Sequence, residues 1–451
     1  MESIHAVVAK MAGWLWGPPL LILLMGTHLY LTLRLRFIQR FIVKAIRLSV
    51  TRDPSAPGDV SQFGALTTAL AATIGTGNIV GVATAVALGG PGAVLWMWFT
   101  GVFGMATKYS EALLAVKYRV KTSDGTMLGG PMYALERGLK MKWLAVFFCV
   151  CTAIAAFGIG NMVQANSISA MVKDVFQVSP YITGAVLTVF TGVVILGGVT
   201  WIARVCEILV PFMALFYVAG CLIILALNHA YVPEAFRTIV SHAFTAHAAG
   251  GGFAGAAVLM AMRYGVARGL FSNESGLGSA PIVAAAAQTR NPVRQALVSS
   301  TGTFWDTVVV CALTGLVLVS TILRHPDGFA GLNGAQMTRM AFSQIPYVGS
   351  VILTVGLLTF VFSTILGWSY YGERAIEYLF GKASIRIYRV LWVIAVFAGS
   401  VVTLQFVWDF SDMMNALMAL PNLVALLLLS GVVVRETRKY LWEGRLDEAG
   451  E

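Results

Sequence analysis

The stretch TIGTGNIVGVATAVALGGPG, from Thr73 to Gly92, combines two properties that rarely occur together. It is apolar enough to lie in lipid, yet near its start it contains Gly75-Thr76-Gly77-Asn78, and glycine is a poor helix former. A helix interrupted inside a bilayer leaves backbone N–H and C=O groups without partners, which is costly. Such an interruption is tolerated where it lines a polar cavity, so this stretch predicts a site as well as a membrane span.

The whole chain has the composition of a polytopic helical membrane protein. Of its 451 residues, 58% are hydrophobic and only 12% are charged, with a mean hydropathy of +0.78, whereas a soluble domain has about 25% charged residues. Its apolar runs are continuous and roughly 20 residues long, unlike the alternating segments of a β-barrel. The first run, about Gly13 to Leu33, is too long for the apolar part of a signal peptide, and no cleavage-site pattern follows it.

Hydropathy predicts an all-α protein with eleven transmembrane helices. One extra N-terminal helix precedes ten core helices. We place the spans near residues 13–33, 62–89, 92–118, 143–171, 180–199, 206–228, 255–287, 296–322, 348–379, 388–407 and 411–434.

The net charge of +10 reflects membrane topology, so we expect no nucleic-acid partner. The loop after the first span contains six of the basic residues, and the other loops on the same side contain most of the rest. The positive-inside rule then places the N-terminus outside and the C-terminus in the cytoplasm, in a multi-pass protein of the cell (inner) membrane. Residues 34–50 resemble a basic amphipathic helix on the cytoplasmic surface.

The ten core spans divide into two sets of five, and the first span of each set is interrupted. Span 62–89 contains Gly75 to Asn78, and span 255–287 contains GLFSNESGLG from Gly269 to Gly278. Five is odd, so the second set starts on the opposite side of the membrane and the two sets form an inverted repeat. Paired interruptions in inverted halves are typical of a transporter binding site. We divide the chain into an N-terminal segment, two repeats and a tail, at 1–60, 61–230, 231–435 and 436–451.

The two interruptions have the chemistry to bind a zwitterion. The N-terminus of a half-helix presents free N–H groups that suit a carboxylate, and the C-terminus of a half-helix presents carbonyls that suit an ammonium group or Na⁺. The alternative is that the glycines only allow close helix packing, which we favour for Gly81, Gly101 and Gly104. At the interruptions themselves, Asn78 and Glu274 add polarity that packing does not require.

Long motifs around these interruptions resemble the alanine/glycine:cation symporter family, also called the sodium:alanine symporters. The resemblance covers about residues 60–435. It is carried by ATIGTGNIVGVATAVALGGPGAVLWMW, GMATKYSE, GGPMYALERGL, GNMVQANS, RGLFSNESGLGSAP and STILGWSYYGERA. It implies a fold similar to that of the leucine transporter, with a five-plus-five inverted repeat and an additional N-terminal helix.

The resemblance also implies an amino-acid site between the first and sixth core helices. Backbone N–H groups at the first interruption bind the substrate carboxylate, carbonyls at the second bind its ammonium, and a bulky wall favours small side chains. The implied substrate-binding residues are Thr76, Gly77, Gln164, Phe271, Ser272, Asn273, Gly276, Thr364 and Trp368.

Sodium is the coupling ion that the resemblance implies. Its expected ligands are the carbonyls of Ala71 and Ile74 and the hydroxyls of Ser363 and Thr364, since neutral oxygens suit a hard cation. Asn78 matches a residue that binds a second sodium in the leucine transporter, and its role here stays open.

Charged and polar side chains at membrane depth are further candidates. For gating, or for support of the broken helices, they are Asn78, Asn161, Arg263, Arg268 and Glu274. For Glu274 we favour a structural role over proton transfer. Lys108 and Glu111 are spaced three residues apart, so pairing with each other is the simple alternative to a functional role.

These features predict secondary active transport: Na⁺-coupled symport of alanine, glycine or another small neutral amino acid into the cell. No GxxxxGK[ST] motif for nucleotide binding is present, and neither HExxH nor GxSxG suggests an enzyme. A channel requires a continuous polar lining, whereas here the polarity is concentrated at two interruptions. An H⁺-coupled symporter, or a carrier of glutamine or another neutral amino acid, is the alternative. Each chain contains a complete repeat pair, so we expect a functional monomer.

Overall fold

The computed structural model describes residues 2–51, 53–245, 254–329, 331–402 and 405–449. Its first half contains the helices α1 (Glu2–Leu15), α2 (Pro18–Arg34), α3 (Ile42–Ser49), α4 (Gln62–Thr73), α5 (Val82–Gly89), α6 (Ala93–Lys117), α7 (Pro131–Tyr133), α8 (Lys142–Ala155), α9 (Val163–Phe176), α10 (Pro180–Leu196) and α11 (Gly198–Leu227). Its second half contains α12 (Val232–Phe244), α13 (Ala254–Asn273), α14 (Pro281–Ala284), α15 (Pro292–Thr303), α16 (Ala312–Arg324), α17 (Gly334–Phe342), α18 (Gly349–Phe380), α19 (Ser384–Val401), α20 (Gln405–Leu428) and α21 (Ser430–Thr437).

Short irregular elements join several of these helices. Turns of 3₁₀-helix lie at Ile38–Phe41 and Pro326–Phe329, and wider π-helical turns lie at Gly77–Gly81, Ala134–Gly138, Ala156–Met162, Phe304–Cys311 and Arg438–Trp442. Two antiparallel strands, β1 (Val120–Lys121) and β2 (Met127–Leu128), pair Val120 with Leu128. π-Helical turns often occur at functional sites, and two of them flank the cavity described below.

Within the described ranges, seven helical stretches are long and apolar enough to cross a membrane: Ile4–Arg34, Lys142–Phe176, Gly198–Leu227, Pro292–Arg324, Gly349–Phe380, Ser384–Val401 and Phe406–Leu428. The pair Gln62–Thr73 and Gly77–Gly89, bent by 54°, forms an eighth span if it is counted as one. The remaining predicted spans coincide with α6, with the 17-residue α10, and with α13 followed by the short α14. The polytopic helical architecture is therefore as predicted, and the count of eleven spans stays a prediction.

Two details of the sequence prediction were wrong. Residues 34–50 do not form one amphipathic helix, because Arg36 and Phe37 adopt left-handed backbone conformations (φ +54° and +57°) and only α3 is α-helical. The predicted span 388–407 extends too far, because α19 ends at Val401 and α20 begins at Gln405.

The first interruption separates α4 from the π-helical turn that leads into α5. Ser61 caps the start of α4 by accepting a hydrogen bond from the Gly64 N–H (2.8 Å). The helix ends where Ile74 turns to an extended conformation (ψ 96°). Glycine is needed next, because a Cβ on Gly75 would lie 2.7 Å from the Thr364 hydroxyl. The absence of a side chain at this position therefore lets α18 pack directly against the interruption.

The second interruption follows α13 and has left-handed backbone. Glu274 has φ +55°, Gly276 has φ +90° and Gly278 has φ +87°, conformations that glycine adopts at low cost. Pro281 then starts α14, where its missing N–H is not needed. The glycines quoted in the sequence thus serve an unwound segment, as predicted.

Both interruptions lie in the interior of the helix bundle. α13 packs against α5 and α6, and α4 packs against α11 and α18. α20 packs against α1 and α8 and closes another side. All five cysteines are buried and free, consistent with packing roles.

The loops on the basic side of the bundle are joined by charged contacts. Arg290 donates to both carboxylate oxygens of Asp53 (2.5 and 3.2 Å). These hydrogen bonds hold the pKa of Asp53 below its ordinary value. Arg119 donates to the carbonyls of Pro57, Ala285 and Ala287, which ties β1 to the segment that follows α14.

Candidate functional site

A small cavity of about 20 Å³ lies where the two interruptions meet. That volume holds one or two water-sized spheres, so the site is shaped for a small ligand. The lining residues come from both interruptions and from α9, α18 and α20: Ala72, Thr73, Gly75, Thr76, Gly77, Ile159, Gln164, Phe271, Glu274, Thr364, Trp368 and Asn415.

Six of the nine predicted substrate residues line this cavity, and three do not. Thr76, Gly77, Gln164, Phe271, Thr364 and Trp368 belong to the first group. Ser272, Asn273 and Gly276 lie behind the cavity, where their side chains or backbone hold the interruptions in place. The role of each residue in binding stays a prediction.

The first interruption offers the cavity the N-terminus of a helix. Thr76 and Gly77 begin the second half-helix, and the first N–H groups of a helix have no intrahelical partner. The preceding N–H group, of Gly75, is already bound by the Asn78 side-chain oxygen (2.9 Å). The N–H groups of Thr76 and Gly77 are therefore suitably placed for a carboxylate.

Trp368 and Glu274 form the opposite wall and hold each other in place. The Trp368 indole N–H donates to Glu274 Oε1 (3.1 Å), and the Ser279 hydroxyl donates to Glu274 Oε2 (2.5 Å). Gly160 lies so close that a Cβ there would be 2.3 Å from the Trp368 Cβ. The position of the ring is thus fixed from two sides. Since both oxygens of Glu274 accept hydrogen bonds within the protein, its contacts fit the structural role favoured from the sequence.

Asp306 connects the two interruptions, and the sequence analysis missed it. Its buried carboxylate accepts hydrogen bonds from Asn78 Nδ2 (2.7 Å), the Ser272 hydroxyl (3.1 Å) and the Thr307 hydroxyl (2.6 Å). Asn78 belongs to the first interruption and Ser272 to the end of α13. An aspartate inside the apolar run 296–322 is itself a signal of function at membrane depth.

Glu111 supports the second interruption, and no ion pair between it and Lys108 is found among the described residues. Its Oε1 accepts from the N–H groups of Gly276 and Gly278 (both 3.1 Å) and from Asn422 Nδ2 (2.7 Å). These bonds satisfy backbone groups that the unwound segment would otherwise leave unpaired. The Lys108 ammonium is buried, and no hydrogen-bond partner for it is found among the described residues.

Two of the four predicted sodium ligands, Ala71 on α4 and Ser363 on α18, are in direct contact. The Ser363 hydroxyl is 3.2 Å from the Ala71 carbonyl and 2.8 Å from the Phe360 carbonyl, and the Thr364 hydroxyl is 2.9 Å from the latter. Ala71 lies on the last turn of α4, and Ile74 is the first residue after the helix. Neutral hydroxyl and carbonyl oxygens suit a hard monovalent cation, so the donor set fits Na⁺.

The remaining gating candidates lie in different places. Asn161 donates to the Trp392 carbonyl (2.9 Å) and does not line the cavity. Arg268 and Phe271 line a larger cavity of about 510 Å³, which also contacts Thr76 and Gly77. Arg263 and Arg268 line a third cavity of about 250 Å³ beside α1. The arginines therefore lie on one side of the small cavity.

The 510 Å³ cavity leads from the interruptions toward one face of the bundle. Its lining includes Thr84 on α5, Asp174 near the end of α9, and Ser350 at the start of α18. These ends lie opposite the loop that connects α3 to α4, because α4 starts at that loop and α5 runs away from it. The 510 Å³ cavity thus lies toward the face opposite the basic loops, and it shares Thr76, Gly77 and Phe271 with the small cavity.

Two broken helices that meet at a small interior cavity belong to a membrane protein with a fold like that of the leucine transporter. The structure is similar to that of MhsT in complex with L-phenylalanine, with a TM-score of 0.60 and 15% sequence identity over 83% of this chain and 90% of that one. At this identity the likeness shows the fold alone. The chain matches the model of the sodium:alanine symporter family over residues 1–450 and belongs to that family.

Named relatives share almost the full length of the chain. The sodium/alanine symporter AgcS of Methanococcus maripaludis is 52% identical over 442 residues, covering 96% of this chain and 97% of that protein. The probable sodium/glutamine symporter GlnT of Bacillus subtilis is 36% identical over 446 residues, covering 97% and 91%. The protein is therefore a multi-pass membrane transporter that carries an amino acid, and not an enzyme, as the sequence predicted.

Proposed function

We propose that this protein is a Na⁺-coupled symporter that brings alanine and glycine into the cell by alternating access. The observation that carries the proposal is the small cavity at the two interruptions, with helix N–H groups on one side and the Trp368–Glu274 wall on the other. The cavity is small, and the Trp368 and Phe271 rings line it, which favours a substrate with a short side chain. The name of AgcS supports the same substrate and ion.

Coupling follows from residues that the two sites share. Thr364 lines the small cavity and belongs to the proposed Na⁺ ligand set with Ala71, Ile74 and Ser363. Na⁺ at these oxygens fixes the end of α4 against α18 and so orders the N–H groups of Thr76 and Gly77. Each ligand then stabilises the arrangement that the other requires, and such coupling is reciprocal.

The proposed topology has eleven spans, with the N-terminus outside and the C-terminus in the cytoplasm. The extra helix of residues 1–60 precedes two inverted five-helix repeats at 61–230 and 231–435, and a cytoplasmic tail follows. Basic residues concentrated on one side support this orientation in the cell membrane. The 510 Å³ cavity then faces the outside, as an outward-facing transporter requires. A single chain contains both repeats, and we propose that it functions as a monomer.

Proton coupling is the second candidate, and Glu274 is the observation that favours it. This carboxylate lines the cavity at membrane depth. There, a proton bound to it would take the place of Na⁺ as the coupling ion. A carrier of glutamine receives support from the similarity to GlnT. The small cavity disfavours it, because the glutamine side chain requires Trp368 to move.

The test is uptake of labelled alanine into proteoliposomes under an imposed Na⁺ gradient or an imposed H⁺ gradient at matched membrane potential. We expect accumulation only with Na⁺, and competition by glycine but not by glutamine. Thr364→Ala and Ser363→Ala each remove one oxygen ligand of the bound Na⁺. Each should therefore raise the Na⁺ concentration for half-maximal uptake by about tenfold. Thr359→Ala is the matched control, since the bonds of that hydroxyl to described residues stay within its own helix. Accumulation driven by H⁺ alone would refute sodium coupling.

A further inference from the structure

The cavity of about 250 Å³ beside α1, called the side cavity below, lies between α1, α13 and α20. Its wall on the first of these helices is formed by Ala9, Ala12 and Gly13, and by Trp16, which follows the helix. These positions share one helix face. Small residues on a membrane helix normally allow close packing, but a Cβ added to Gly13 would meet no described atom within 4 Å. The small face of α1 therefore borders open space.

The side cavity has charges of both signs that do not pair with each other. Arg263 and Arg268 come from α13, and Asp409 and Asp412 come from α20. Among the described residues, the Arg268 guanidinium has no hydrogen bond or ion pair, and the buried Asp412 Oδ1 has no hydrogen-bond partner. Asp409, in contrast, is bound by His5 Nε2 (2.7 Å). Buried acceptors are normally paired, so Arg268 and Asp412 together indicate a ligand with an anionic group and an N–H donor.

The rest of the wall suits a large apolar side chain. Trp16, Tyr264 and Phe271 contribute aromatic rings, which favour edge-to-face or offset contacts with another ring. The Trp16 indole N–H donates to the Asp412 carbonyl (2.9 Å), so this ring is held in place. The volume of about 250 Å³ also far exceeds the 20 Å³ of the cavity at the interruptions. An amino acid such as phenylalanine fits this wall better than alanine does.

Phe271 and Arg268 connect the side cavity to the transport path. Phe271 also lines the small cavity and the 510 Å³ cavity, and Arg268 also lines the latter. Both residues belong to α13. In alternating access, the outer cavity has to close before the substrate can leave on the other side. A ligand that fills the side cavity holds these two side chains where they are, and so opposes the closure.

We propose that the side cavity is an inhibitory site for amino acids with large apolar side chains. The ligand's carboxylate binds Arg268, its ammonium group binds Asp412, and its side chain packs against Trp16 and Tyr264. This inference goes beyond the proposed function, because the ligand is not transported and does not touch the helix N–H groups at the interruptions. Its binding lowers the maximal rate of alanine uptake instead of raising the KM, since both amino acids bind at the same time.

The test measures alanine uptake by the full-length protein in liposomes at increasing phenylalanine concentration. The lipid is phosphatidylcholine, whose quaternary ammonium group has no N–H donor and cannot replace the ligand. We expect phenylalanine to lower the maximal rate at unchanged KM. Phenethylamine lacks the carboxylate and 3-phenylpropionate lacks the ammonium group, so each should inhibit at least about tenfold more weakly, the effect of losing one charged hydrogen-bonding group.

Two variants locate the effect in the side cavity. Gly13→Leu fills the space without changing a charged group, and should raise the inhibition constant of phenylalanine by at least about tenfold. Gly26→Leu is the matched control, because Gly26 lies in the same helical stretch and also borders open space, but does not line the side cavity. Asp412→Asn keeps the shape and removes the charge, and should raise the inhibition constant by about tenfold. Thermal unfolding shows which variants are folded.

The outcomes separate this proposal from the proposed function. A raised KM at unchanged maximal rate refutes the side site, because phenylalanine then competes with alanine at the interruptions. Equal inhibition of folded Gly13→Leu and Gly26→Leu also refutes it. Binding of labelled phenylalanine to the purified protein at saturating alanine tests the site without transport, and no such binding refutes the site while alanine uptake stands. If alanine is not transported but phenylalanine binds and Gly13→Leu abolishes this binding, the side site is supported and only the proposed function fails.

Discussion

Replacing Asp306 by alanine should loosen both helix interruptions at once. The carboxylate accepts from Asn78 on one interruption and from Ser272 at the other, and from the neighbouring Thr307. In Asp306→Ala, Asn78 keeps its longer bond to the main-chain oxygen of residue 306 (3.2 Å) and Ser272 keeps its contact with Cys311 Sγ (3.3 Å), but all three donors lose the carboxylate. With about 1–3 kcal/mol for each buried group left unpaired, we expect a loss of about 2–4 kcal/mol.

This loss should appear in alanine binding as well as in stability. The two interruptions form the binding site. If a variant holds them in the binding-competent conformation for a smaller fraction of the time, its affinity for alanine falls in proportion to that fraction. We expect the dissociation constant to rise by at least about tenfold, and the unfolding temperature to fall. Asp306→Asn keeps the size and one acceptor oxygen, and should lie between Asp306→Ala and the wild type.

Scintillation proximity binding of labelled alanine, with thermal unfolding of the same samples, measures both effects. Glu234→Ala is the control, since its pair with Arg237 (3.6 Å) is exposed and such pairs contribute about 0–1 kcal/mol. If Asp306→Ala binds alanine within about twofold of the wild type and unfolds at the same temperature, Asp306 does not hold the two interruptions together.

Three further predictions follow from other contacts. Glu111→Gln should retain alanine uptake better than Glu111→Ala, because one oxygen accepts all three hydrogen bonds and the amide keeps it. In Gly160→Ala, the added Cβ would push Trp368 into the cavity, so alanine uptake should be abolished and glycine uptake should fall less. Gly192→Ala, whose added Cβ would have contacts no closer than 3.8 Å, should behave as wild type in the same competition assay. The pKa of Asp53 is lowered, so its ion pair with Arg290 stabilises the folded protein at pH values above the ordinary aspartate pKa of about 3.9. This stabilisation is lost as the pH falls below that value. Asp53→Asn should therefore remove that part of the acid dependence of the unfolding temperature.

The sequence by itself determined the class of protein and the position of the site along the chain. Long apolar runs require membrane helices, because only helices or closed barrels satisfy the backbone in lipid. The clusters at Gly75 to Asn78 and Gly269 to Gly278 marked both interruptions, since glycine and polar side chains are costly in an ordinary span. These signals are local in the sequence, so they can be recognised without knowing how the rest of the chain folds.

Only the tertiary structure decided which distant side chains meet at the interruptions. Asp306, Glu111 and Asn415 lie in three separate helical segments, and their spacing along the chain does not show that the first two support the interruptions or that Asn415 lines the cavity. Local spacing even suggested the wrong partner for Glu111, because Lys108 is near in sequence while Gly276 and Asn422 are near only after folding. The physical reason is that hydrogen bonds depend on the packing of helices against each other, and helix rotation and crossing are set by the whole bundle.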